Sequence, residues 1–269
     1  MRVTKNSPTN AARRAQNSGA LHALARCGYA ASGVLHVLVA WLAVQLALGQ
    51  PAGQADESGA FSAIAQAPGG EFLLWAVAVG FAALALWQLA TAALGVPGAE
   101  NQAGARLKSL AKGVLYGVLA ASSARYAQGS GGGSSEESMT ADVLTMPGGP
   151  WLVGIVGLVI VGVGVYHVVK GWRKKFLRDL AGTGSGSVGP VVVRLGQVGY
   201  IAKGIALGVV GGLIVAAAVT TDASRAGGLD EALRTMREQP FGTALLLVIG
   251  LGIGAFGLYA FARARFARL

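Results

Sequence analysis

The sequence predicts an all-α integral membrane protein: six transmembrane helices in three tandem two-helix repeats, pseudo-threefold about the membrane normal, with short amphipathic helices on the outer surface. Three observations lead there. Charged residues make up 13% of the chain against 53% apolar residues and 42 glycines, whereas a soluble domain carries about a quarter of its residues as charges. Six apolar runs have spanning length. One pattern of glycine, proline and aromatic residue recurs three times.

The chain opens with a polar, basic arm, residues 1–19, that has no apolar stretch of its own and so does not read as a cleavable signal peptide. The apolar runs cover residues 30–49, 72–94, 110–127, 151–169, 198–219 and 241–261. Each is near the roughly 20 residues a helix needs to cross about 30 Å of hydrocarbon. The third is the weakest, because Ser122, Ser123 and Arg125 crowd its end. The repeats then cover residues 20–95, 105–172 and 192–262, followed by a basic tail at 263–269. Residues 128–135 and 182–190 are Gly/Ser-rich connectors.

Sorting the charges by side of the six spans orients the chain. Eighteen of the 22 basic residues fall on the side of the termini, leaving Arg125, Arg225, Arg234 and Arg237 on the other. Ten of the twelve acids run the opposite way, with only Glu100 and Asp179 on the terminal side. The positive-inside rule therefore expects both termini in the cytoplasm and the protein in the plasma (inner) membrane. The high pI reads as flank charges meeting anionic lipid headgroups at the cytoplasmic face and not as a nucleic-acid surface. The lone Cys27 has no intrachain disulfide partner.

The repeat is anchored on Gly33, Gly113 and Gly204, then on Pro68, Pro147 and Pro240, at spacings of 35, 34 and 36 residues. An aromatic residue follows each proline by 19 positions: Trp87, Tyr166 and Tyr259. Before each proline, Phe61 and Ile64, Thr140 and Val143, and Leu233 and Met236 share a helical spacing of three. Acids stand at the segment starts, as suits helix N-termini: Asp56 and Glu57, Glu136 and Glu137, Asp230 and Glu231. These segments predict three short helices on the outer membrane surface, each leading into a proline in the first turn of the next span. Small-residue pairs spaced by four, Gly113–Gly117, Gly208–Gly212 and Gly250–Gly254, are the expected helix contacts.

This pattern resembles a bacterial membrane family of triplicated two-helix repeats known as domain of unknown function 1206. The resemblance is carried by Arg26, Gly28, Tyr29, Ala31, Gly33 and Val34 in the first copy. The second keeps Arg106, Lys112, Gly113 and Val114 and lacks the Gly-Tyr pair. The third keeps Gly199, Tyr200, Lys203 and Gly204, with Gln197 in place of the arginine. The resemblance covers almost all of the chain after about residue 20 and implies fold and location, but no activity.

No Asp or Glu lies within the apolar cores, which argues against a proton-coupled antiporter built on buried carboxylates. Lys112 and Lys203 stand near cytoplasmic span entries, where a lysine can snorkel to the interface. Ser32 before Gly33 is read as a drifted flank residue, because Lys112 and Lys203 hold the same repeat position. His36 and His167 are the weak candidates for cofactor binding. Both are shallow on the same side, within reach of ligating a b-type haem, though interhelical hydrogen bonding is the plainer role. Gln45 and Gln88 are the polar intramembrane residues. No catalytic residue, metal set or phosphate-binding loop is recognisable.

These readings leave three functions. A non-enzymatic scaffold or accessory subunit with a membrane-protein partner stands first, and it expects a dry, filled core. A small carrier or channel for a neutral or lipid-like solute stands second, with mitochondrial carriers as an architectural analogy. A haem-bearing redox subunit stands third. No cofactor is expected under the first two.

Overall fold

Helix formation follows directly from the long apolar runs, and the computed structural model shows nine α-helices among the described residues, 19–50, 53–95, 101–131, 136–184, 186 and 188–268. No β-strand occurs among them. The long helices are α1 (Gly19–Ala47), α3 (Gly70–Leu94), α4 (Gln102–Ala127), α6 (Gly149–Trp172), α7 (Val188–Thr220) and α9 (Gly242–Phe266). The short ones are α2 (Glu57–Ala65), α5 (Glu136–Leu144) and α8 (Gly228–Glu238), each standing before the second long helix of its copy. Two 3-10 turns, Lys175–Asp179 and Ala223–Ala226, complete the connections.

Five of the long helices are both long and apolar enough to cross a membrane. The exception is α4, whose 26 residues would reach about 39 Å, but which carries Arg106, Lys108, Lys112 and Arg125. Large apolar side chains stand exposed along the helices, among them Phe72, Trp151, Val248 and Leu251. A soluble monomer rarely exposes contiguous apolar surface beyond a few hundred Å², so this is the surface of a membrane-like protein.

The three short helices take shape as the acids and apolar spacing predict. Asp56 caps α2, its Oδ1 accepting from the Gly59 amide at 2.8 Å. Their apolar face, however, is turned to protein and not to lipid. Phe61 and Ile64 of α2, and Leu233 and Met236 of α8, are among the most buried side chains of the molecule. Burying each is worth about 1.5–3 kcal/mol, which a helix lying at the lipid surface would draw from lipid instead. Thr140 and Val143 of α5 are half-buried. The short helices therefore cap one end of the bundle. Copies one and three are tied there by the Ala55 amide, which donates to Asp230 Oδ1 at 2.8 Å.

The prolines sit one step earlier than the first turn of the span. Each occupies the second position of a four-residue turn, residues 67–70, 146–149 and 239–242, closed by an amide-to-carbonyl bond of 2.7–2.9 Å. The third position has positive φ: 75° at Gly69, 78° at Gly148 and 61° at Phe241. This is a type II turn, which wants proline second and glycine third. It reverses the chain from short helix to span, so proline belongs in the turn and not in the helix. The third copy departs from the rule by placing Phe241 in the left-handed region.

The long helices pack in the lateral order α4, α3, α1, α9, α7, α6. Each is thus beside its neighbours in sequence except at α4 and α6, which stand at the two ends of this order, and the first and last copies meet through α1 and α9. Between α4 and α6 runs a seam crossed by a hydrogen bond from Lys108 Nζ to the Tyr166 hydroxyl, 2.7 Å. The apolar stretch of α6 is only 17% buried, because α6 lies mainly against α7.

At the helix contacts the anchor glycines do equivalent work. A Cβ on Gly33 would meet the Phe261 ring at 3.0 Å, one on Gly113 would meet Leu89 Cδ2 at 2.8 Å, and one on Gly204 would meet Val168 Cγ2 at 2.7 Å. Leu89, Val168 and Phe261 all stand 21 residues after the proline of the preceding copy. Among the predicted small-residue pairs, Gly250 and Gly254 do face Ala43 and Ala40. Gly117, Gly208 and Gly212 instead have open space where a Cβ would go. The closest approach of α7 to α6 uses Gly204 and Gly211 against Gly164 and Gly157.

Candidate binding site

The helices leave a cavity of about 460 Å³ between copies. Its walls are apolar: Val39 from α1, Leu115 from α4, Ile160 from α6, Val210 and Ile214 from α7, and Ile253 from α9. Towards the short helices it reaches Glu57, Thr140 and Leu229. At the other end of its lining stand His36 and Lys203.

These two side chains hold one another. His36 Nδ1 lies 2.8 Å from the carbonyl oxygen of Ser32. A carbonyl can only accept, so Nδ1 carries the proton and Nε2 offers its lone pair. Lys203 Nζ donates to that Nε2 at 2.7 Å and sits over the Phe256 ring, 4.5 Å from its centre. Lys203 makes no ion pair among the described residues. It therefore does not snorkel to an interface. Glu57, the acid of the cavity, stands in the first turn of α2, where the helix N-terminus favours a carboxylate.

Next to this pair is a layer of aromatic rings and cations. Tyr200 stacks between His167 and Phe176, with ring centres 5.6 and 5.4 Å away, and meets Phe256 and Tyr259 edge-on. Lys170 Nζ lies 4.8 Å from the Tyr200 ring centre and 2.5 Å from Asp179 Oδ2. The guanidinium of Arg263 covers Tyr29 at 4.4 Å and donates to its hydroxyl at 3.4 Å. Burial pushes the Asp179 carboxyl up, but Arg263 and Lys170 outweigh burial and hold it below the ordinary carboxylate value. The backbone closes the same end, with the Arg268 amide donating to the Asp179 carbonyl at 3.0 Å.

The residues singled out by sequence fall in different places. His36 lines the cavity. His167 does not. Its Nδ1 is 2.8 Å from the Val163 carbonyl, and its ring lies between Tyr166 and Tyr200. The two histidine rings are not in contact. Gln45 is half-buried and Gln88 is buried, and neither lines the cavity. Of the repeat aromatics, Tyr259 is fully buried and donates to the Phe176 carbonyl. Tyr166 accepts from Lys108 at the seam. Trp87 meets His22 edge-on at 5.3 Å. Sequence reasoning missed the inward cations Lys203 and Arg263. The available signal was position: Lys203 immediately precedes an anchor glycine, so it sits beside a packed face. Arg263 follows the repeat aromatic by four residues and shares its helical face.

No solved structure matches the chain. It is 30% identical over 241 residues to the "Uncharacterized protein YxxB" of Bacillus subtilis (strain 168), a match covering 87% of each chain. The family model described as Domain of Unknown Function (DUF1206) matches three times, over residues 27–95, 107–174 and 198–267, which are three two-helix units of the fold above. The chain belongs to the DUF1206 family.

Proposed function

We propose that this protein is a six-span, pseudo-threefold membrane protein that binds a small lipid-like solute in its central cavity and carries it across the bilayer. The observation that carries the reading is the apolar cavity between the three copies with the Lys203–His36 pair at one end. A volume of 460 Å³ falls in the range of small-molecule sites, about 300–1,000 Å³. The aromatic and cationic layer would be the closed gate, and the short helices would frame the mouth. The pseudo-threefold build is supported by the three anchor glycines, each met by the equivalent residue of the preceding copy in cyclic order. It is supported again by Lys170 against Tyr200 and Arg263 against Tyr29, which relate copy two to three and copy three to one. In that build α4 is the sixth span, its basic residues near its ends and on the seam. The charge balance supports both termini in the cytoplasm of an inner membrane. A scaffold calls for a filled interior, and the cavity counts against it. A haem bridging His36 and His167 calls for a free Nε2 on both rings, and Lys203 occupies that of His36.

The test is cysteine accessibility in a Cys27→Ser background. Val210→Cys, on the cavity wall, should react with a charged, membrane-impermeant thiosulfonate added from the non-cytoplasmic side. Val248→Cys, on the lipid-facing surface, should stay unmodified from either side. If Val210→Cys is silent from both sides, the cavity is not an aqueous vestibule and the carrier reading falls.

A further inference from the structure

Resting on the reading of the cavity as a binding site, we infer that its ligand is an amphipathic monoanion, a carboxylate on a flexible hydrocarbon tail. The head would sit on Lys203 and the tail along the apolar wall towards the short helices.

The argument begins with the charge balance of the cavity. Its lining holds one cation, Lys203, and one acid, Glu57. Glu57 is compensated locally, because it stands in the first turn of α2 beside the cap made by Asp56. Lys203 feels Glu57 through space but makes no ion pair among the described residues. It stands well inside α7, far from either terminus, and its neighbours are a neutral imidazole and the Phe256 ring. An ammonium has three protons to donate. One goes to His36 Nε2, and the neutral tautomer set by Ser32 leaves that ring no charge with which to balance the ammonium. Glu57 balances this charge only from a distance, and the ammonium at the His36 end has donors to spare. An anionic head answers that need at contact distance, since hydrogen bonds between charged groups are the strongest of their kind.

The walls decide the remainder of the ligand. Val39, Leu115, Ile160, Val210, Ile214 and Ile253 offer no donor or acceptor side chain, so a polyol, a nucleotide or a dianion would leave polar groups unpaired. A hydrocarbon tail loses nothing there. The cavity also borders the seam between α4 and α6 through Leu115 and Ile160. A tail can enter by that route from the lipid phase.

The test uses three probes with the same tail, decanoate, decanol and decylamine, binding to the purified full-length protein in nanodiscs. Binding is read by native mass spectrometry and by equilibrium dialysis against empty nanodiscs. Decanoate should bind at one per chain and about thirtyfold more tightly than decanol, the worth of a charge-assisted hydrogen bond. Lys203→Gln should bring decanoate to within about threefold of decanol. Ile253→Trp, which fills the cavity, should remove all three. If decanol binds as tightly as decanoate, and Ile253→Trp removes both, the cavity is a binding site but the anionic class is wrong. Preference for decylamine would likewise overturn it, with Glu57 as the dominant charge. If none of the probes binds the wild-type protein in a manner that Ile253→Trp abolishes, the binding-site reading fails along with the inference. The three-probe comparison on wild-type protein stands even if a variant fails to fold.

Discussion

Gly204→Ala should destabilise the protein where Gly208→Ala, one turn along the same helix, should not. At Gly204 a Cβ would lie 2.6 Å from the Gly164 carbonyl oxygen and 2.7 Å from the Val168 backbone nitrogen. Both are backbone atoms of α6, so no side chain can swing aside. To reach the 3.4 Å of ordinary contact, α6 and α7 must separate by about 0.8 Å along this line. That separation loosens Gly157 against Gly211, one interface layer away. Overpacking of this kind costs about 1–3 kcal/mol. The better helix propensity of alanine returns about 1 kcal/mol, so the net loss is at most about 2 kcal/mol. At Gly208 a Cβ meets open space, and the propensity term acts alone. The assay is reversible unfolding by SDS in dodecylmaltoside micelles, followed by far-UV circular dichroism. Equal midpoints for the two variants would refute the claim that α6 and α7 meet on the Gly204 face.

Three further predictions use the same assay. Phe241 is held at φ 61° and is 89% exposed. Phe241→Gly should relieve about 1–2 kcal/mol of left-handed strain, less the entropy of a freer chain, for a net gain of about 0.5–1 kcal/mol. A loss of stability would show the turn is not strained. Phe61, at 1% exposure, anchors α2 to the bundle, so Phe61→Ala should cost about 3–5 kcal/mol. Phe72→Ala on the exposed apolar surface should change little, and equal costs would contradict the inward face of α2. The Asp179 carboxyl is held below its ordinary value by Arg263 and Lys170 against the effect of burial. Its contribution is therefore present above the unfolded pKa, near 3.8, and is lost as pH falls from there through the lowered folded value. Wild-type protein should lose stability across that window, and Asp179→Asn should be less stable at neutral pH and flatter in acid. Parallel pH profiles would remove Asp179 from the closed end.

Several features were decided by the sequence on its own. Apolar runs of spanning length can only be helices in a membrane, because backbone groups have no water to bond there. The three prolines at near-constant distance from the anchor glycines announced three equivalent junctions, although the structure makes each a type II turn ahead of the helix and not its first turn. The acids at Asp56 and Glu57 and at Asp230 and Glu231 marked helix starts that the structure keeps. These signals are local: each depends on a few adjacent residues and on backbone geometry.

What only the tertiary structure decided is which side of each long helix looks inward. In a soluble helix the apolar stripe marks the core. In a span both the lipid face and the protein face are apolar, so periodicity carries no such mark. That is why Gly208 and Gly212 were expected at a contact that Gly204 and Gly211 make instead. It is also why Lys203 was expected to reach for the interface, when it turns inward to His36. The same blindness placed His36 and His167 on one prospective ligand, whereas each ring is tied to the carbonyl one turn before it and faces a different neighbour. The short helices failed to declare their partner for a related reason: Phe61 and Leu233 are equally at home in lipid or in protein. Composition and spacing determine that these helices form and how the copies succeed one another. Their rotation, and with it the charge enclosed between them, is set by packing that no single helix contains.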